Sequence, residues 1–364
     1  MTKKTAVING RQIAFFSAFI LPMFKLTEVP SLLAKFAKGD LLLPALLHFI
    51  FQTALLCAIL YCASRSNQTL AERLQNKFGK WTRVFYLLYA IYFLFYAVLP
   101  LLDLEKFVYA VFFDTAPTLF TFAFFFFFSA FLCVKHLKTV GRFADLSLFL
   151  FVFPFVALLL ASLAEADFTN LLPIFQQPAG SSFGGFFYTQ PHFSDASLLL
   201  PLLLHLRFEK KDGIKITAGY LVGALFTLLF LIVFYGVYST IAPRQHYAFS
   251  KIAQYFPPLA VIGRVDLLLV FALCIVLFFA TATPLFYAVD LTATAFAKNN
   301  KLILSATVNF GAFLFVLFCN KYYDSVYAFF GNALPPLFIA FSLLPLLLLL
   351  LKQPNPAKKE KPYA

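Results

Sequence analysis

Charged residues are scarce in this chain, since Asp, Glu, Lys and Arg together make up 12% of its 364 residues while 62% are hydrophobic. So small a polar fraction cannot cover the surface of a water-soluble body of this length. The composition therefore excludes a soluble globular protein and predicts an integral membrane protein.

The sequence also lacks the short motifs that carry most enzyme chemistry. Its five cysteines form no CxxC pair and have no metal-ligand spacing. There is no glycine-rich phosphate loop, no HExxH motif and no nucleophile elbow. The sequence thus predicts neither an enzyme nor a cofactor or metal site.

Long hydrophobic runs, by contrast, recur along the whole chain. A helix needs roughly 20 apolar residues to cross a hydrocarbon core about 30 Å thick, and ten runs approach that length. We number these predicted spans one to ten: 11–34, 41–63, 84–102, 117–134, 144–163, 184–206, 216–241, 266–296, 302–319 and 326–351. The loops between them are short, so we expect a single transmembrane domain over residues 1–364 that ends in a basic cytoplasmic tail at 352–364.

The basic residues predict the orientation of these spans. Most of the 29 lysines and arginines fall in alternate loops and in the two terminal segments. Cytoplasmic loops carry this excess in membrane proteins, so we expect both termini to be cytoplasmic, which requires an even number of spans. The net charge of +13 then reflects topology and contact with anionic lipid in an inner membrane, not nucleic-acid binding.

Two loops are expected to form short surface helices. The first begins with the capping box Thr69-Leu70-Ala71-Glu72, and the second covers residues 246–256.

Helix-breaking residues concentrate in spans one and six. Span one contains Pro22 and Pro30, which flank the charged residues Lys25 and Glu28. In span six the helix breakers are Gly184, Gly185 and Pro191. The polar residues His192, Ser194 and Asp195 follow them. Because these spans lie five apart in a ten-span chain, we expect two inverted repeats, about 11–163 and 184–351, whose broken helices meet at a central site.

Several stretches resemble the spore germination receptor B-subunit family, a branch of the amino acid, polyamine and organocation transporter superfamily. The two most specific are TNLLPIF at 169–175, between spans five and six, and the Arg-x-acid opening of RVDLLLVFALCIVLFFATATPLFYAVDL at 264–291. The others, in chain order, are EVPSLLAKFAKGD at 28–40, LLYAIYFLFYAVLPLLDLEKF at 87–107, VGRFADLSLFLFVFPF at 140–155 and FSDASLLLPLL at 193–203.

The resemblance implies a LeuT-type fold of five plus five helices, with a small-molecule pocket between spans one, three, six, eight and ten. Family members act as nutrient-sensing subunits beside a multi-span A subunit and a lipoprotein C subunit in the inner membrane of spores. Others are described as amino acid transporters. The chain departs from the family pattern in span one, which reads Pro22-Met23-Phe24-Lys25 instead of a glycine-rich break, and in span six, where His192 to Asp195 replace Gly-x-Glu.

The ionisable residues of the two breaks allow two interpretations. An ionised group at mid-membrane costs about 2.5–3.5 kcal/mol on insertion scales, so Lys25, Glu28 and Asp195 should face the bundle interior. Lys25 and Glu28, three residues apart on one helix face, could neutralise each other, or Lys25 could reach the membrane rim. Alternatively, the broken ends could hold a zwitterion such as an amino acid.

In the second interpretation, free backbone N–H groups of span one bind the carboxylate of the ligand. Asp195, or carbonyls freed between Gly184 and Ser194, bind its ammonium group, and Lys25 supplies a fixed positive charge. Three further candidates are Tyr96, Thr281 and Thr283, although a tyrosine here could be packing and a threonine before Pro284 could satisfy carbonyls freed by the kink. We also expect Asp290 to pair with Lys298 or Lys301, and Arg264 with Asp266.

Two functions remain open from the sequence. The chain could be a receptor subunit that senses a nutrient such as an amino acid and passes a conformational change to its partner subunits. It could instead be a stand-alone amino acid permease, because the same pocket serves both.

Overall fold

The computed structural model describes residues 8–65, 68–111, 118–209, 211–254, 266–296 and 300–350. These residues form helices and connecting loops, with no β-strand among them. The α-helices, in chain order, are α1 (Gly10–Phe15), α2 (Val29–Ala37), α3 (Leu42–Ser64), α4 (Leu70–Phe78), α5 (Thr82–Val111), α6 (Thr118–Val134), α7 (Leu137–Ser162), α8 (Ala179–Thr189), α9 (Asp195–Leu204), α10 (Asp212–Tyr238), α11 (Ala248–Gln254), α12 (Asp266–Phe296), α13 (Lys301–Asn320), α14 (Tyr323–Asn332) and α15 (Pro335–Leu350).

Six helical stretches in the described part of the chain are long and apolar enough to cross a membrane. The number rises to eight if each of two bent pairs counts as one span. Predicted spans four and six correspond to the 17-residue helix α6 and to the interrupted pair α8 and α9. An all-helical membrane protein is therefore confirmed, whereas the count of ten spans stays a prediction.

Span one is broken, as its prolines predict. After α1 the chain forms a π-helical turn, Phe16–Ile20, and a 3-10 turn, Leu21–Lys25, before α2 leaves at a bend of 61°. Pro22 and Pro30 lack the N–H group that a continuing helix would need, so backbone carbonyls before them are freed.

The freed carbonyls at this break are used by another element. The N–H groups of Ala248 and Phe249, at the start of α11, donate to the oxygens of Thr27 and Leu26 at 3.0 and 3.1 Å. The first N–H groups of a helix have no partner within the helix. The break and the start of α11 therefore satisfy each other.

Span six is also interrupted, but not where the glycines predict. Gly184 and Gly185 lie inside the continuous helix α8, and the interruption is the 3-10 turn Gln190–Phe193 followed by the non-helical residue Ser194. A side chain on Gly185 would meet the Cβ atom of Phe36 in α2 at 3.3 Å. The interruption therefore lies at Pro191, one of the three predicted breakers, whereas Gly184 and Gly185 remain helical and Gly185 allows close packing of α8 against α2.

Helix α10 packs closely against the first half of span one. A Cβ atom on Gly219 would lie 2.4 Å from the backbone oxygen of Ala14, and one on Gly223 would lie 2.5 Å from that of Ser17. Only glycine allows the two backbones to approach this closely. These contacts fix the position of the segment that leads to Lys25.

The surface helices are also present. Thr69 accepts the N–H of Glu72 at 3.2 Å and its own N–H donates to the Glu72 carboxylate, so the capping box of α4 is confirmed. Helix α11 lies within the second predicted segment. The terminal tail at 352–364 and the Arg264–Asp266 pair fall outside the residues whose side chains the structure describes, and the two inverted repeats stay a prediction.

Candidate functional site

The two interrupted spans meet at a buried ion pair. The Nζ atom of Lys25, at the end of its 3-10 turn, lies 2.6 Å from Oδ1 of Asp195, the first residue of α9. The two side chains are 2% and 1% exposed. Residues 170 positions apart are thus joined in the core, and we call this contact the Lys25–Asp195 bridge.

Both charges suit the helix ends on which they lie. A carboxylate is stabilised at a helix N-terminus and a cation at a C-terminus, because each end carries a partial charge of opposite sign. Asp195 opens α9, and Lys25 closes its turn while donating to the carbonyl oxygen of Leu21 at 3.2 Å. The interruption of each helix therefore helps to stabilise the charge that it carries.

Other helices complete the surroundings of the bridge. The hydroxyl of Tyr220 in α10 donates to the second carboxylate oxygen of Asp195 at 2.8 Å. Gln52 in α3 accepts the N–H of Ala196 at 3.1 Å, and the Phe193 ring lies 5.3 Å from the Lys25 ammonium. The carboxylate is therefore bound by an ammonium and a hydroxyl.

Lys25 and Glu28 do not pair with each other, so the expectation of mutual neutralisation is wrong. Glu28 turns to the segment before α11, where its carboxylate binds Nδ1 of His246 at 2.7 Å and accepts the N–H of Tyr247 at 3.3 Å. The hydrogen bond to Glu28 raises the pKa of His246 above its ordinary value. The irregular backbone between the two residues directs their side chains to different partners.

Four other candidates, Pro22, His192, Ser194 and Thr283, are also buried. Pro22 and Ser194 lie in the interrupted segments themselves, and the Ser194 hydroxyl donates to the carbonyl of Gln190 at 3.3 Å. Thr283 donates to the carbonyl of Phe279, four residues earlier in its own helix, at 2.8 Å. His192 bonds Tyr327 at 3.3 Å.

Several buried polar atoms around the breaks have no hydrogen-bond partner in the described part of the chain. They include the hydroxyls of Tyr92, Tyr96, Tyr287 and Thr281 and both polar atoms of the Gln190 amide. Tyr96 also packs edge-on against Phe24 of span one, with ring centroids 5.8 Å apart. Buried polar groups are normally satisfied, so these atoms are candidates for contacts with a small molecule.

Two residues of α3 and one of α10 contact the interrupted span six but were not predicted from the sequence. His48 stacks between Phe186 and Phe193, with ring centroids 4.3 and 4.0 Å away, and hydrogen-bonds Thr189 at 3.0 Å. Gln52 follows His48 by four residues, so both lie on one face of α3. Two polar residues four positions apart in an apolar run could have indicated a polar face of α3. The sequence around Tyr220 offers no comparable indication.

Two cavities lined by described residues lie away from the bridge. One of about 360 Å³ separates α5, α12 and α13 and has an apolar wall. Another of about 690 Å³ lies between α3 and α10 near Tyr61 and Glu209. Neither is lined by Lys25 or Asp195, and the burial of these two side chains closes the bridge to solvent in this conformation.

The described helices thus form a membrane-embedded bundle in which two interrupted helices meet through buried charges, the arrangement of a LeuT-type fold. The sequence model of the family described as spore germination protein matches residues 27–324. This match covers more than half of the chain, which therefore belongs to the spore germination protein family.

Solved structures agree with this fold. Three variants of the manganese transporter of Eremococcus coleocola superpose with a TM-score of 0.59, covering 93% of this chain and 78% of the transporter at 12% identity. Identity this low supports the shared fold alone. No curated protein matches the sequence.

Proposed function

We propose that the chain is the nutrient-sensing membrane subunit of a spore germination receptor and that its ligand is an amino acid bound between the two interrupted spans. The main observation that supports this proposal is the Lys25–Asp195 bridge, which places one buried positive and one buried negative charge at the point where the two interrupted helices meet.

The charges of the bridge favour a zwitterion. An amino acid that enters between the two residues can offer its carboxylate to Lys25 and its ammonium group to Asp195, so that every charge keeps a partner. A simple cation would leave Lys25 unpaired and a simple anion would leave Asp195 unpaired. Leaving one member of a buried pair without its partner costs about 3–5 kcal/mol, which selects against both.

The wall of the proposed site would bind the rest of the ligand. Tyr96, Gln190 and Thr281 carry polar atoms without partners in the described residues, and Phe24 and Phe193 provide apolar surface. Of the sequence candidates, we propose Pro22, Lys25, Ser194 and Asp195 as residues at the breaks, with Tyr96 and Thr281 as wall residues. Glu28, His192, Gly184, Gly185 and Thr283 have other contacts in this conformation.

A screen of purified protein in nanodiscs tests the ligand assignment. A ligand that binds only the folded state stabilises it by about 2.7 kcal/mol at one hundred times its Kd, so an amino acid panel should contain at least one member that raises the apparent melting temperature. Lys25→Met and Asp195→Asn should each abolish that response.

Asp290→Asn is the matched control, because Asp290 forms an ion pair with Lys301 between α12 and α13, an arrangement that involves neither interrupted span. Its response to the ligand should equal that of the unchanged protein. A full response in both bridge variants would refute the assignment.

The receptor role adds a proposal about partners and orientation. We propose that the subunit acts with an A-type multi-span protein and a C-type lipoprotein in the inner membrane, with both termini cytoplasmic as the distribution of basic residues predicts. Co-purification of the three proteins and labelling of single cysteines near each terminus would test this. Separation of the proteins in mild detergent, or labelling of a terminus from outside, would contradict it.

A permease is the second candidate, because the fold is shared with a transporter over 93% of this chain. Purified protein in liposomes distinguishes the two. Accumulation of the stabilising amino acid by the protein alone would establish a permease, whereas binding without uptake would support the receptor.

A further inference from the structure

Three buried side chains from three different elements form a hydrogen-bonded chain beside the interrupted span six. The hydroxyl of Tyr327 in α14 lies 3.4 Å from Oδ2 of Asp103 in α5 and 3.3 Å from Nε2 of His192. Asp103 and His192 are 5% and 4% exposed. These hydrogen bonds thus connect α5 to His192, which lies three residues before Asp195.

The number of protons available for the hydrogen bonds among Asp103, Tyr327 and His192 is restricted. A tyrosine hydroxyl has one proton to donate, so it cannot donate to an ionised Asp103 and to an unprotonated Nε2 atom of His192 at once. Either His192 donates from Nε2 to Tyr327, which donates to Asp103, or a protonated Asp103 donates to Tyr327, which donates to His192. Both arrangements satisfy all three groups.

The two arrangements differ by one proton when His192 is neutral in both. The imidazole carries its single proton on Nε2 in the first arrangement and on Nδ1 in the second, while the carboxylate of Asp103 becomes a carboxylic acid. Passing from the first arrangement to the second therefore takes up one proton and raises the total charge by one. Tyr327 carries the same number of protons before and after.

Asp103 also lacks the kind of partner that keeps a buried carboxylate ionised. No lysine or arginine in the described part of the chain lies within ion-pair distance of it, and its hydrogen bonds come from the hydroxyls of Tyr327 and Tyr323, the latter at 3.3 Å. An ionised carboxyl group without a cation is costly in a buried position. Protonation removes that cost.

The titratable groups near this cluster come from several elements. Those of α5 are Glu105 and Lys106, and Lys106 lies over the Tyr323 ring at 5.2 Å. Glu28 of span one and Tyr247 act on the same cluster electrostatically, as does Tyr188 of α8 on Tyr327.

We propose that Asp103, Tyr327 and His192 form a proton-binding site that takes up and releases one proton as the interrupted span six changes conformation. This function goes beyond ligand sensing: movement of the turn at His192 would break or restore the contact with Tyr327, so the conformation of the ligand site and the protonation of Asp103 become linked.

Infrared spectroscopy of the purified protein in liposomes, with no ligand added, tests the site. A protonated carboxyl group gives a C=O stretching band that disappears on titration to the carboxylate. We expect a titrating band that is absent in Asp103→Asn. His192→Gln should shift its midpoint by about one pH unit, which corresponds to about the free energy of the one hydrogen bond that the imidazole makes with Tyr327.

Tyr323 provides the matched control, because it contacts Asp103 but has no contact with His192. The effect of His192→Gln should persist in a Tyr323→Phe background and should largely vanish in a Tyr327→Phe background. A spectrum without a titrating band from Asp103, or an effect of His192→Gln that survives undiminished in Tyr327→Phe, would overturn the proposal. Because no ligand is used, this result is independent of the amino acid screen.

Discussion

Removing one partner of the Lys25–Asp195 bridge is expected to destabilise the protein more than removing both. At 2.6 Å and an effective dielectric constant of about 20, the attraction between the two charges is about 6 kcal/mol. Burial of the two ions costs several kcal/mol each, so the intact pair contributes little net stability. Each single change leaves one of these costs without compensation.

The prediction can be measured with a double-mutant cycle of Lys25→Met, Asp195→Leu and the combined variant. Each single variant should lower the free energy of unfolding by about 3–5 kcal/mol, because a lone charge remains buried. The combined variant should lose much less than the sum of the two, and could equal the unchanged protein, because methionine and leucine fill similar space without charge.

The assay is reversible denaturation in mixed micelles, with each variant compared at the same lipid and detergent composition. The coupling between the two changes should be at least about 3 kcal/mol. Additive losses would refute the reasoning, because they would show that each charge is compensated by something other than its partner.

Three further predictions concern neighbouring contacts. The stabilisation from the His246–Glu28 pair should be complete below pH 6.5, the ordinary pKa of histidine, and should disappear as the pH rises through the raised pKa of His246. Denaturation at a series of pH values should show this loss in the unchanged protein and not in His246→Gln. Identical pH profiles of the two proteins would contradict the prediction. Gly219→Ala should destabilise the protein by about 1–3 kcal/mol through overpacking. Gly311→Ala, whose new methyl group meets no atom within 4 Å, should not. Equal losses in the free energy of unfolding of the two variants would refute the packing argument. Tyr220→Phe removes a donor to the bridge carboxylate and should cost about 1.5–3 kcal/mol, measured in the same assay; an unchanged free energy of unfolding would show that this hydrogen bond is not needed.

Much of the architecture could be predicted from sequence because hydrophobic length and helix breakers act locally. Pro22 and Pro30 interrupt a helix wherever they occur in its interior, and the structure places a 61° bend between them. The contrast with Gly184 and Gly185 is instructive, since glycine also permits close helix packing and therefore does not by itself indicate a break.

The partners of the charged residues were harder to predict. Lys25 and Glu28 could be recognised as costly in a membrane, but spacing reveals only neighbours along the same helix, and their actual partners are distant in sequence. Lys25 binds a residue 170 positions away and Glu28 one 218 positions away. Tyr220 is one of 17 tyrosines, and its type and position did not distinguish it from packing residues.

The two backbone hydrogen bonds between α11 and the break in span one have a mechanical consequence. They attach a short helix to carbonyl groups of Leu26 and Thr27, immediately after Lys25. If span one tilts while these bonds hold, α11 must be displaced with it. A fluorophore on an exposed position of α11, such as Lys251, would therefore report motion at the ion pair without being attached to any residue that contacts it.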